Sequence, residues 1–347
     1  MKRSGLADLP LHWGKTPKWL FERIAKQAKN ICEVIILEYG RDEFLKRISD
    51  PFWFQAFSCI LGWDFHSSGS TTTTCGALKA AINPEEHGIA ILGGKGRTSR
   101  KTPDEIEQLA DIFPLTTKTI NKLKYSSKMS AKIDNALLQD YFTLYHHTFI
   151  VTEDGKWGTI QQGMRSDIGY ARRYHWISEK VKSFVVEPHI AICCDIKGDV
   201  LNLVASESED VRKCSVDIVK ENPKRLEKYL LMQKEHTFGL KRYKPLLTVH
   251  ELNPKNYEEL VAIKGIGPRS IRALALISDL VYNIKASHKD PVKYSFAVGG
   301  KDGIPYPIDR KTYDKSIEIL RTAVEHAKLG RKDKLNALKK LKDFENI

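Results

Sequence analysis

The sequence predicts an α+β protein, with a mixed α/β part over residues 1–206 (helical over 11–62) and an all-α part over 207–347. Three observations lead to this. Runs of β-branched and aromatic residues set off by turn residues, such as Phe149-Ile150-Val151 before Glu153-Asp154-Gly155-Lys156, lie in the first part. From Glu207 onward, segments with apolar residues at helical spacing replace them. The length, 347 residues, is enough for two such units and a sizeable core.

The formal charge is +13. Clustered Lys and Arg gain affinity for phosphates by releasing condensed counterions, so DNA is the expected partner. No apolar run approaches the length of a membrane-spanning helix and no secretory signal opens the chain, which predicts a cytoplasmic protein without a membrane partner. The six cysteines show no Cys-x-x-Cys spacing, so neither a disulfide framework nor a zinc ribbon is implied.

In chain order, Pro17 and the apolar set Trp19, Leu20, Ile24, Ala28, Ile31 and Ile35 predict a helix to Glu38, closed by Tyr39-Gly40. A second helix spans Asp42 to Ile48 and stops before Asp50-Pro51. The aromatic stretch Phe52 to Leu61 is core. A short strand ending at His66, a Ser/Gly/Thr loop, a helix from Thr73 and a strand Gly88 to Leu92 read as a right-handed parallel crossover. That strand runs into the basic loop Gly93 to Lys101, whose Lys95 and Arg97 are candidate phosphate contacts.

Helices are expected over Thr102 to Phe113, Thr116 to Leu123 and Ser130 to Tyr145. The next stretch, Tyr141 to Met164, carries His146-His147, the hairpin turn at 153–156 and Gln161-Gln162. It resembles the His-x-Lys-x4-Asp motif of the phospholipase D superfamily of phosphodiesterases and nucleases. The resemblance sets His146 on the nucleophilic histidine, Thr148 on the lysine, Glu153 on the acid, and Gln161 and Gln162 on the Gly-Ser pair. It implies that His146 attacks phosphorus while Glu153 fixes its tautomer, and that a cation such as Lys132, Lys156 or Arg173 replaces the missing lysine. The proton donor to the leaving oxygen is His147, His66 or a histidine of a second subunit. A single copy of a motif that normally occurs as two facing halves implies a homodimer. No cofactor is needed in that chemistry; a Mg or Mn alternative would use Asp140, Glu153 and Asp154. Tyr170 to Trp176 interleaves Arg172 and Arg173 with rings, a pattern capable of holding phosphates and bases. A strand His189 to Cys194 and the turn at Lys197-Gly198-Asp199 close the mixed part.

Helices Glu209 to Lys220 and Pro223 to Lys234 lead through the basic linker Lys241 to Pro245 to the most specific motif in the chain. Residues 256–282 read as helix, Lys264-Gly265-Ile266-Gly267 turn, and a second helix starting at Pro268-Arg269-Ser270 and continuing through Arg272. This resembles the helix-hairpin-helix DNA-binding family, which implies that the turn's amides hold a DNA phosphate. A plain αα-hairpin is the alternative. Two basic helices, Lys311 to Lys328 and Arg331 to Phe344, end the chain. Before them, Pro307-Ile308-Asp309 is similar to the Pro-Val-Asp step of helix-hairpin-helix DNA glycosylases, with Asp309 as a simple helix cap the alternative. Nearly end to end, the chain resembles unknown-function family 763 of archaea and bacteria.

These readings predict a DNA-processing enzyme, a nuclease of repair or recombination. A glycosylase using Asp309 and a structural DNA-binding protein are the alternatives.

Overall fold

A five-stranded antiparallel sheet separates two hydrophobic layers. The computed structural model describes residues 9, 11, 16–62, 68–194, 196–221, 225, 244–292, 318, 322–326, 334 and 338. His66, Asp309 and most of the second helix expected after Glu207 lie outside them. Among the described residues, no helix is long and apolar enough to cross a membrane.

The helical elements are α1 (Lys18–Ser49), α2 (Pro51–Ile60), α3 (Ser68–Ala81), α4 (Pro84–His87), α5 (Thr102–Gln108), α6 (Thr117–Ala136), α7 (Glu209–Lys220), α8 (Lys244–Leu252), α9 (Tyr257–Ala262) and α10 (Pro268–Tyr282). The strands are β1 (Ile89–Lys95), β2 (Leu138–Gln139), β3 (Thr143–Thr152), β4 (Trp157–Arg165), β5 (Tyr170–Ile177), β6 (Ala191–Cys193) and β7 (Leu201–Asn202). The main sheet has the order β1-β3-β4-β5-β6, and β2 pairs with β7.

Gly40, at φ 83°, interrupts α1 where Tyr39-Gly40 is read as a helix end, so the two expected helices meet at a kink. The Asp50 carboxylate caps α2 by accepting from the Trp53 amide at 3.0 Å. Pro51 takes the first helical position, where its missing N–H costs nothing.

Both faces of the sheet are covered, so its strands are apolar on both sides. Ile89, Ile91, Ile150, Ile160, Ile177 and Cys193 pack under α1–α3. Ala90, Leu92, Phe149, Val151, Tyr174, Trp176 and Ile192 face the other way. That second core also takes in Val211, Leu260, Ile271 and Leu274. It therefore runs through the boundary expected at residues 206 and 207, and the helical part shares a core with the sheet.

Three expected elements are corrected. Thr116 to Leu123 and Ser130 to Tyr145 are not two helices: α6 is continuous to Ala136, and the chain is extended from Thr143. The β-branched and aromatic content of 143–152 favours extended chain over the helix expected there. The strand ending at His66 lies outside the described residues, and β1 runs antiparallel to β3, so the described ladders contain no parallel crossover. Finally, Tyr170 to Trp176 is not a surface run but the buried strand β5.

Candidate functional site

Successive residues of a strand point to opposite faces, and this rule divides the histidine pair. His146 is paired in the ladders with Lys95 and Gln162, and His147 with Gly94 and Gln161. Tyr145 forms a bulge beside them.

On the α1–α3 side, His146 is 2% exposed, and its Nε2 lies 2.9 Å from Thr148 Oγ1. Its Nδ1 has no partner among the described residues. Burial, with His147 and Lys95 nearby, depresses its pKa to about 3. Gln162 donates to the Ser68 carbonyl at 2.9 Å and to the Tyr145 hydroxyl. Arg173 donates to Thr71 Oγ1 at 3.1 Å and to Gln55 Oε1 at 3.2 Å, with its guanidinium over the Phe54 ring.

On the α6 side, His147 Nε2 lies 2.9 Å from Ser127 Oγ, and its Nδ1 lies 2.8 Å from Gln161 Oε1. Gln161 Nε2 donates to Asp134 Oδ2, which also accepts from Trp176 Nε1 at 3.2 Å. His189 bonds the other Asp134 oxygen. Burial lowers the His147 pKa to about 4, with the Gln161 bond pulling the other way. Burial raises Asp134, opposed by His189, Trp176 and Gln161.

Several sequence expectations do not converge here. His147 cannot protonate a group that His146 attacks, because a sheet lies between their rings. Glu153 lies seven residues along from His146, about 23 Å at ~3.3 Å per residue, and pairs instead with Arg41. It cannot set the tautomer of His146. The Mg or Mn set fails for the same reason: Asp140 precedes β3, whereas Glu153 and Asp154 follow it. Among the described residues no cluster of three or more His, Cys, Asp or Glu is arranged to hold a metal. Arg172 and Arg173 are 1% and 0% exposed and are not surface DNA contacts. Arg172 bridges Asp140 at 3.0 Å and Asp290 at 2.8 Å, tying β5 to the segment after α10. Of the replacement cations, Lys156 pairs with Asp42 and Asp154 at the hairpin tip. Lys132 donates to the Ile263 carbonyl, at 2.7 Å.

Residues 256–282 present a different picture. The side chain of Asn256 caps α9 at 2.9 Å from the Glu259 amide. Gly265 turns the chain at φ 92°, a conformation natural to glycine. Ile266, 2% exposed, anchors the turn in the core. Gly267 precedes α10 in extended backbone, and no side chain caps that helix. The Arg269 and Ser270 amides and the positive dipole end at this start are of the kind that suits an anion. Lys264, Arg269 and Arg272 are exposed around it, while Ser270 is buried. Arg272 donates to Gln139 Oε1 at 2.6 Å, and Gln139 Nε2 to the Pro268 carbonyl at 2.8 Å. Lys128 meets the Ala262 carbonyl at 3.0 Å, as Lys132 meets Ile263. Two α6 lysines thus satisfy the carbonyl end of α9 and fix the motif to the sheet layer. Burial and Lys128 lower the Lys132 pKa to about 8.

A family model matches residues 5–308, which include both the histidine strand and the hairpin. The chain belongs to DUF763, a protein family of unknown function. No curated protein and no solved structure matches it. In this DUF763 protein the exposed basic turn at 96–101 follows β1, with Lys95, Arg97, Arg100 and Lys101 at the surface. None of these four has an ion pair among the described residues. Lys95 Nζ sits 5.7 Å from the centroid of the Tyr145 ring.

Sequence reading missed Ser127, Asp134, Trp176 and His189. The signal was present: Ser127, Ser130 and Asp134 stand three and four residues apart, a polar stripe on the buried face of α6. Splitting α6 into two helices hid that stripe.

Proposed function

We propose that this protein binds DNA by its backbone, without regard to sequence, and acts on it as a phosphodiester-cleaving enzyme of repair or recombination. The observation that carries the reading is the Gly265-Ile266-Gly267 turn. Its Gly265 is exposed and its Ile266 anchors it from below, and it is followed by an uncapped helix start and flanked by the exposed Lys264 and Arg269. Backbone amides and a dipole end hold a phosphate without reading bases. The net charge of +13 and the exposed cations of the 96–101 turn, which have no ion pair among the described residues, favour the same polyanion.

The mixed part would then contribute the chemistry and the helical part the grip, through a shared core. The phospholipase D resemblance enters only as a reaction class, because its catalytic set does not assemble around His146.

The test is incubation of the full chain with end-labelled single-stranded, duplex and forked DNA, with and without a chelator. Backbone cleavage that persists in chelator is expected. Cleavage restored only by Mg or Mn would move the chemistry to a metal. A released base with an intact backbone would favour the glycosylase reading through Asp309, and binding alone a structural role.

A further inference from the structure

The buried chain from Ser127 to Asp134 has a direction, and each link fixes the next. Trp176 Nε1 can only donate, so the Asp134 Oδ2 that receives it is an acceptor. Gln161 must therefore present its NH2 to the same oxygen, which turns its carbonyl toward His147. A carbonyl can only accept, so His147 carries its proton on Nδ1. The Nε2 lone pair is left facing Ser127 Oγ at 2.9 Å. This is a serine hydroxyl donating to a neutral imidazole, whose tautomer is locked by a third group and that group by a fourth.

The dyad is buried, less deeply than the acid behind it. Ser127 is 4% exposed and His147 7%, whereas Asp134 behind them is 0%. On α6 the residues one turn either side of Ser127, Lys124 and Ala131, are half-buried. Across the ladder His147 pairs with Gly94, against which Thr98 of the basic turn packs. The basic turn 96–101, with its exposed Arg97, Arg100 and Lys101, packs against β1 and β3 beside the dyad.

We propose that Ser127 is a nucleophile and His147 its base, and that the pair cleaves nucleic-acid phosphodiesters held by the basic turn. This names the catalytic groups of the activity proposed above and rests on that reading for its natural substrate. The Ser127 Oγ–phosphorus bond forms as the bond from phosphorus to the departing sugar oxygen breaks. The serine proton passes to His147 Nε2 and from there to the departing oxygen. Water, deprotonated by the same nitrogen, then displaces Ser127 from phosphorus, and the proton returns to the serine. Gln161 and Asp134 are positioning residues.

The experiment treats the full chain with a fluorophosphonate probe and locates the adduct by peptide mass spectrometry. Hydrolysis of bis(p-nitrophenyl) phosphate is followed in parallel. An adduct on Ser127 is expected, with both signals lost in Ser127→Ala and cut at least about 100-fold in His147→Asn. Labelling should stay level from pH 8 to about 5 and fall near pH 4, where His147 becomes protonated. The nearly isosteric Ser127→Cys should lose fluorophosphonate labelling and gain reaction with iodoacetamide, which checks the site without relying on the alanine variant folding. No adduct on Ser127 in the folded wild type, or unchanged diester hydrolysis in Ser127→Ala, would overturn the proposal. Ser127-dependent hydrolysis of the model diester with no cleavage of DNA would uphold the dyad and reject the DNA substrate. DNA cleavage unaffected by Ser127→Ala would do the reverse.

Discussion

Gly267→Val separates a DNA-gripping turn from a merely structural one. Gly267 has φ −140° and ψ −169°, backbone that any residue adopts, and a Cβ placed there meets nothing within 4 Å. The fold should therefore tolerate valine, with a stability change within about 0.5 kcal/mol, as for an unengaged surface site. The open space is also where a phosphate must stand to meet the first amides of α10. Losing one charge-assisted hydrogen bond costs about 1.5–3 kcal/mol, so duplex affinity should drop roughly 10- to 150-fold. Gly265→Val is the contrasting variant. At φ 92° it strains the backbone by about 1–2 kcal/mol, so it should lose stability as well as affinity. The assay is fluorescence anisotropy with a labelled duplex at fixed salt, alongside urea denaturation. A Gly267→Val protein with wild-type stability and wild-type affinity would show that the turn does not touch DNA.

Arg172→Met should cost about 3–5 kcal/mol in urea denaturation, because it leaves Asp140 and Asp290 buried without their cation. DNA affinity per folded molecule should not change, and a specific loss of binding would restore Arg172 as a contact. The histidines make stability depend on pH. His146 and His147 are depressed to about 3 and about 4, so the unfolded chain binds more protons than the folded one below its ordinary pKa near 6.5. Their contribution is fully present above about pH 6.5 and is lost as pH falls toward 4, at about 1.4 kcal/mol per pH unit for each. His146→Asn should flatten that slope by one such increment between pH 6 and 4.5, and an unchanged slope would show that His146 titrates freely.

The sequence revealed elements whose cues are local. The break at Gly40, the helix stop before Asp50-Pro51, the hairpin turn at 153–156 and the two helices about the Gly265-Ile266-Gly267 turn all depend on residues within one turn of each other. What it concealed depends on tertiary pairing. Arg172 and Arg173 between rings look like a cationic surface until β5 is placed inside a sheet covered on both faces. His146 and His147 look like a catalytic pair until strand alternation sends them to opposite faces. Glu153 fits a motif spacing, but an extended strand of seven residues carries it away from His146. Ser127 meets His147, and Asp134 meets Gln161, only because α6 crosses β3 and β4, a long-range contact without a local signature.

The central claim, that this protein holds DNA through phosphate contacts at the hairpin, is tested most directly by the salt dependence of duplex binding. The comparison is between the wild type and the double variant Lys264→Gln, Arg269→Gln. Each phosphate contact contributes about 0.9 to the slope of log K against log salt. The account predicts a steep wild-type line, the same for unrelated sequences, and a variant line shallower by about 1.8. Parallel lines for the two proteins, or a wild-type affinity indifferent to salt, would contradict it.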